Sequence, residues 1–122
     1  MRICIVGASG YIGSKIASYL KKKNQLIVVT RKKNIKDKKF LDGINKLIIG
    51  DVRNKNTISR IIKAKPEIII YTISLNHHDS EKNINHSIDV NVKPLLSLCR
   101  NLKNIKRFKK IIYFSTMQVY GK

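Results

Sequence analysis

The sequence predicts one α/β domain, a doubly wound parallel sheet of five strands with helices on both faces. Three observations predict it. Short apolar, β-branched runs alternate with segments whose apolar residues recur at helical spacing. The runs are apolar throughout, as in parallel strands buried from both sides, rather than alternating as in a sheet with one wet face. The first run stops at a glycine-rich turn leading straight into a helical segment, and right-handed crossovers then set the strands parallel.

Each element follows from its own residues. Residues 3–6 form the first strand, which stops at Gly7. From 11 to 23, Ile12, Ile16, Tyr19 and Leu20 share one face of a helix, and Lys21, Lys22 and Lys23 suit the negative end of its dipole. Residues 26–30 are a second, β-branched strand. A Lys-rich polar connection leads to the third, 46–49, which ends at Gly50-Asp51. Residues 57–63 form a short helix with Ile58, Ile61 and Ile62 on one side and Pro66 beyond its end. The fourth strand is 68–73, followed by a polar loop carrying His77, His78, Asp79 and Glu81. Ile88, Val92, Leu95, Leu96, Cys99 and Leu102 trace a long helix over 87–102, which Pro94 should kink by removing a hydrogen bond. Residues 111–115 are the fifth strand. No repeat or linker interrupts the chain.

Composition sets the outer bounds. A length of 122 residues makes one domain, and 43% hydrophobic residues suffice for a real core. Against 7 acidic residues stand 26 Lys and Arg, a formal charge of +19, which raises nucleic acid or an anionic membrane as partners. A compositional bias toward Lys, Ile and Asn accounts for the same excess. The basic residues are also scattered rather than gathered in a stripe with aromatics, so nucleic acid is not the expected partner. Cys4 and Cys99 are too few for a disulfide framework and read as buried free thiols. No run approaches the roughly 20 apolar residues of a membrane span, and the first apolar run is too short for a signal peptide. The expected location is the cytoplasm. Adjacent His77 and His78 lack the spacing of a closed metal site, so no metal is expected.

The strongest chemical signal is Gly7-Ala8-Ser9-Gly10-Tyr11-Ile12-Gly13, a G-x-x-G-x-x-G between the first strand and the first helix. It is a spacing variant of the dinucleotide-binding turn. By analogy Gly7 permits the tight turn, Gly10 lets the backbone approach a pyrophosphate, and Gly13 lets helix and strand pack closely. The helix N-terminus, at Tyr11 and Ile12, then offers free N–H groups to the phosphates.

With these residues the sequence resembles the extended short-chain dehydrogenases/reductases, the NAD-dependent epimerase/dehydratase group. The resemblance rests on the glycine loop, Gly50-Asp51-Val52-Arg53, Asn91-Val92, residues 112–116 (IYFST) and Val119-Tyr120-Gly121, in that order along the whole chain. It implies a Rossmann-type sheet, a nicotinamide cofactor and a nucleotide-sugar substrate, with homodimerisation open. Carried over, Asp51 would accept a hydrogen bond from the adenine amino group with the Val52 backbone beside it, although Asp51 also reads as an N-cap or turn residue. Thr72, Ile73 and Ser74 fall where the fourth strand meets the cofactor. Thr116 takes the position of the catalytic Ser/Thr that binds the reacting substrate oxygen; outside the motif it would be an ordinary β-former.

Three departures qualify the resemblance. Where NAD-preferring members end strand two with an acidic residue, this sequence has Arg31, followed by Lys32 and Lys33. A cation pairs with a 2′-phosphate and cannot accept ribose hydrogen bonds, so NADP is favoured over NAD. Pro94 stands where the family usually has a glycine, after Asn91-Val92-x. The family's Tyr-x-x-x-Lys, in which Lys lowers the pKa of the Tyr acid/base, has no counterpart after Thr116. Tyr11/Lys15 and Tyr19/Lys23 share the spacing but lie in the glycine loop and on the first helix. Residues 1–122 are therefore expected to be the cofactor-binding part of a longer enzyme, truncated before its base and substrate domain. A non-catalytic NAD(P)-binding or sensing module is the alternative, and a basic nucleic-acid-binding domain the third.

Overall fold

The computed structural model describes residues 1–31, 42–75 and 77–115. Along the chain run β1 (Arg2–Val6), α1 (Tyr11–Leu20), β2 (Gln25–Thr30), β3 (Lys46–Ile49), α2 (Lys55–Lys63), β4 (Ile68–Tyr71), α3 (His77–Lys82), α4 (Ile84–Asn91), α5 (Lys93–Leu102) and β5 (Lys110–Tyr113). The five strands form one parallel sheet in the order β3-β2-β1-β4-β5. This is the predicted doubly wound arrangement, with β1 at its centre.

Alternation along each strand divides the core into two layers. Cys4 and Val6 of β1, Ile27 and Val29 of β2, and Ile69 and Tyr71 of β4 face one side, against Ile58 and Ile61 of α2 and Leu98 and Leu102 of α5. Ile3, Ile5, Leu26, Val28, Ile68 and Ile70 face the other, against Ala17, Ile16 and Leu20 of α1. Register holds the layers level: Ile5 lies between Val28 and Ile70, and Val6 between Val29 and Tyr71. The central strands are thus apolar on both faces because each face has a cover.

Differences from the sequence reading have local causes. The polar loop at His77 is in part a short helix, α3, with Asp79 in its first turn and Lys82 in its last, as the dipole favours. The long helix divides at Val92 (φ −112°, ψ −57°), and Pro94 opens α5, where its missing N–H costs nothing. That second helix also buries a different face. Val90, Pro94, Leu98 and Leu102 point inward, while Ile88, Val92, Leu96 and Cys99 are exposed. Cys99 is therefore not the buried thiol expected. Cys4 is, and burial pushes its pKa up to about 12.

Candidate functional site

The strand order reverses at β1: β2 lies on one side of it and β4 on the other. A crevice opens at such a switch point, outside the carboxyl ends of the strands. Gly7 leaves β1 there with φ +91°, and an added Cβ would lie 2.7 Å from Thr72 Oγ1. Any other residue would be both strained and crowded. The Gly7 and Ala8 N–H groups donate to Val29 O (3.1 and 3.2 Å), and Gly10 N–H donates back to Gly7 O (3.0 Å). The turn is thereby pinned to β2.

Gly13 lies buried on the first turn of α1, where an added Cβ would overlap the Gly7 carbonyl oxygen and come within 2.9 Å of Ala8 Cα. It lets the helix sit on the strand end. Gly10 differs from both. A Cβ there would meet nothing but Gly7 O, at 3.3 Å, and otherwise open space. Gly10 is also the N-cap of α1, which has no side-chain cap and no acidic residue in its first turn. The helix therefore presents uncapped N–H groups at Tyr11 and Ile12. The side chains of both residues are exposed.

A cleft of about 310 Å³ lies in front of this turn, lined by Gly7, Ser9, Gly10, Val29, Thr30, Arg31, Gly50, Val52, Thr72, Ile73 and Ser74. Seven residues singled out by sequence thus share one cavity: Gly7, Gly10, Arg31, Val52, Thr72, Ile73 and Ser74. Thr72 builds its back wall, donating its hydroxyl to Val6 O at 2.9 Å and its N–H to the same oxygen at 2.9 Å. The position of Thr116 lies outside the described residues.

Asp51 sits beside the cleft, and its carboxylate is already engaged. Arg53 donates to it from the backbone N–H (2.9 Å), Nε (3.0 Å) and Nη2 (2.7 Å). Arg31 Nη1 approaches the same carboxylate at 4.0 Å with its side chain 73% exposed. The hydrogen bond from the Arg53 side chain is the main cause that holds Asp51 below its ordinary carboxyl value. The turn role read as the alternative for Asp51 is realised here, since its side chain and carbonyl bond the N–H groups of Arg53 and Asn54. An adenine amino group would share this carboxylate with Arg53.

Sequence reasoning missed several contributors. The Thr30 hydroxyl donates to Ser9 Oγ at 2.8 Å, joining the β2 end to the glycine loop across 21 residues. No local pattern announces such a pair. Gly50 leaves no room for a side chain against Thr57, and its position at a strand end was the available signal. Asn91, noted in the motif without a role, accepts the Leu75 N–H on Oδ1 (2.9 Å) and donates to Ser87 Oγ (3.1 Å). It ties the segment after β4 to α4. Among the described residues no three or more His, Cys, Asp or Glu could hold a metal ion, and no helix is long and apolar enough to cross a membrane.

Comparison with known proteins adds an independent finding. The model for the NAD dependent epimerase/dehydratase family matches residues 3–122. The chain is similar to the UDP-glucose 4-epimerase of Mycoplasma genitalium, 29% identical over 126 residues, covering 98% of this chain and 37% of that protein. It is also similar to the CDP-paratose 2-epimerase of Salmonella typhi, 31% identical over 135 residues, covering 99% of this chain and 38% of that protein. The chain thus spans well under half the length of these curated relatives. Among solved structures, the UDP-glucose 4-epimerase from Bifidobacterium longum in complex with NAD+ and UDP superposes with a TM-score of 0.84. The match covers 99% of this chain and 38% of that one at 22% identity, a likeness of fold.

Proposed function

The chain belongs to the NAD dependent epimerase/dehydratase family, and from that premise we propose that it is the cofactor-binding part of an NADP-linked nucleotide-sugar epimerase, dehydratase or reductase. The observation that carries this reading is Gly10, the one glycine of the loop whose missing side chain leaves space the protein does not fill. A pyrophosphate fits that space, next to an uncapped helix N-terminus.

Each residue then has a task it can perform. Gly7, Gly10 and the N–H groups of Tyr11 and Ile12 hold the phosphates, with Gly13 packing the helix close enough to reach them. Val52 gives the adenine end an apolar wall, and Asp51 offers it an acceptor. Thr72, Ile73 and Ser74 form the opposite wall. Arg31 is exposed at the end of β2, where a guanidinium can pair with a 2′-phosphate. A nicotinamide cofactor bound there supplies a hydride acceptor for a sugar carbon. Thr116 would orient the reacting oxygen of the nucleotide sugar. Cytoplasmic location and pairing into homodimers belong to the same reading.

Calorimetric titration with both cofactors tests this. NADPH should bind about tenfold more tightly than NADH, the scale of one charge-assisted phosphate contact, and Arg31→Ala should erase the difference. Equal affinities, or a preference untouched by Arg31→Ala, would overturn the NADP assignment. Failure of both cofactors to bind would overturn the cofactor-binding role itself.

A further inference from the structure

At the opposite, amino-terminal end of the sheet lies a second cleft, of about 540 Å³ against about 310 Å³ at the glycine loop. Its walls come from the start of β1, the α1–β2 turn, the α2–β4 turn and the segment before β5. These bring together Arg2, Lys21, Lys22, Lys23, Lys65 and Arg107. The sequence shows Lys21–Lys23 as a helix-end triplet and places Arg2, Lys65 and Arg107 far apart along the chain; the topology gathers all six around one cavity. Among the described residues Glu67 is the single carboxylate in the lining, and it is committed: it accepts the Arg2 backbone N–H at 2.8 Å and lies 3.6 Å from Lys109 Nζ.

The cations are not consumed by one another's neighbours. Lys21 donates to the Asp42 carbonyl and Arg2 to Gln25 Oε1 and Ala64 O. Among the described residues, no hydrogen bond or ion pair holds the side chains of Lys22, Lys23, Lys65 or Arg107. Like charges gathered in a concave space repel, and a multivalent anion is what relieves that repulsion. Lys65 adds a structural point. It follows the Ala64 C-cap of α2 with φ +49°, a conformation that favours glycine, and lines the cleft.

We propose that this cleft binds a compact polyphosphate. Recognition is by the phosphate chain alone, for two reasons. Among the described residues no aromatic side chain lines the cavity, so they give a base nothing to stack on. The cations converge on a pocket instead of tracking along a stripe, which suits a small polyanion rather than a nucleic-acid backbone.

Titration of the ¹⁵N-labelled chain with inorganic tripolyphosphate, followed by NMR, tests the proposal. Amide shifts should concentrate at residues 22–25, 65, 67 and 107. Lys22→Gln/Lys23→Gln/Arg107→Gln should weaken binding about tenfold or more, because it removes three direct charge partners. The charge-matched Lys15→Gln/Lys55→Gln/Lys82→Gln, at exposed positions elsewhere, should leave it nearly unchanged. ATP should bind at this cleft as tripolyphosphate does, and dependence on the base would overturn phosphate-only recognition. Shifts confined to residues 7–13, equal losses in the two variants, or no binding would overturn the proposal. The shift map of the unsubstituted chain decides the location even if a variant folds poorly.

Discussion

At the scale of single residues, the three loop glycines do different work, and substitution separates them. Gly10→Val should abolish cofactor binding with little change in thermal stability, since its Cβ meets one backbone oxygen at 3.3 Å and then open cleft. Gly13→Val should instead destabilise the fold by about 3 kcal/mol or more, because its Cβ collides with the backbone of Gly7 and Ala8. Thermal melts read beside cofactor titrations check both; retained affinity in Gly10→Val would make the loop a mere structural turn. Asp51 yields a prediction in pH. Its pKa is lowered from 3.8 in the folded chain, chiefly by Arg53, so the unfolded chain binds the proton more readily. The stability it contributes is present above that ordinary value and is lost as pH falls below it toward the folded value. Denaturant melts should show the native chain's advantage over Asp51→Asn shrinking below about pH 4. A gap that stays constant to lower pH would dissociate Asp51 from the ion pair.

At the scale of elements, termini decide more than interiors. α2 ends where Ala64 N–H bonds back to Arg60 and Ile61 carbonyls and Lys65 N–H to Ile62 O, with Lys65 in the left-handed region before Pro66. That region costs a non-glycine residue about 1 kcal/mol, part of which glycine's greater unfolded-state freedom offsets. Lys65→Gly should therefore stabilise the chain by about 0.5 kcal/mol in urea melts; a loss of stability would mean that the Lys65 stem packs favourably. The division between α4 and α5 has the same logic. Val92, at φ −112° and ψ −57°, departs from ideal helical geometry one position before Lys93, and Pro94 sits in the first turn of the next helix without an orphaned bond. Burial of Leu98 and Leu102 against β4 and α2 then fixes which face turns inward.

At the scale of the whole molecule, the sheet brings loop ends together at two opposite poles. The carboxyl pole collects the glycine turn, Arg31, Val52 and residues 72–74 around one cleft. The amino pole collects the cations. On the proposed reading residues 1–122 bind the cofactor, and we propose that these residues alone turn over no nucleotide sugar. Thr116 can orient an oxygen but is a poor proton donor or acceptor near neutrality. No Tyr-x-x-x-Lys lies between Thr116 and Lys122, and general acid–base catalysis is typically worth about 10²–10⁴-fold. Assays of the 122-residue chain with NADPH and a panel of nucleotide sugars should show no turnover. Turnover lost in Thr116→Ala would refute this and direct attention to Tyr120 as the acid/base.

The sequence by itself determined the strands, their parallel winding and the glycine turn. These depend on neighbouring residues: β-branched runs such as Ile68-Ile69-Ile70 suit strands, and Gly7 and Gly13 lie within six residues of each other. Helix faces were less legible. Apolar residues lie on more than one side of α5, so stripes through Leu96 and through Leu98 both show helical spacing, and the choice fell to what each side could pack against. Only the tertiary structure brought Arg31 onto Asp51, Ser9 onto Thr30, and Asn91 onto Leu75. These contacts span 16 to 21 residues. Their energy comes from meeting across the sheet or from a helix to a strand end, and local periodicity carries no record of it.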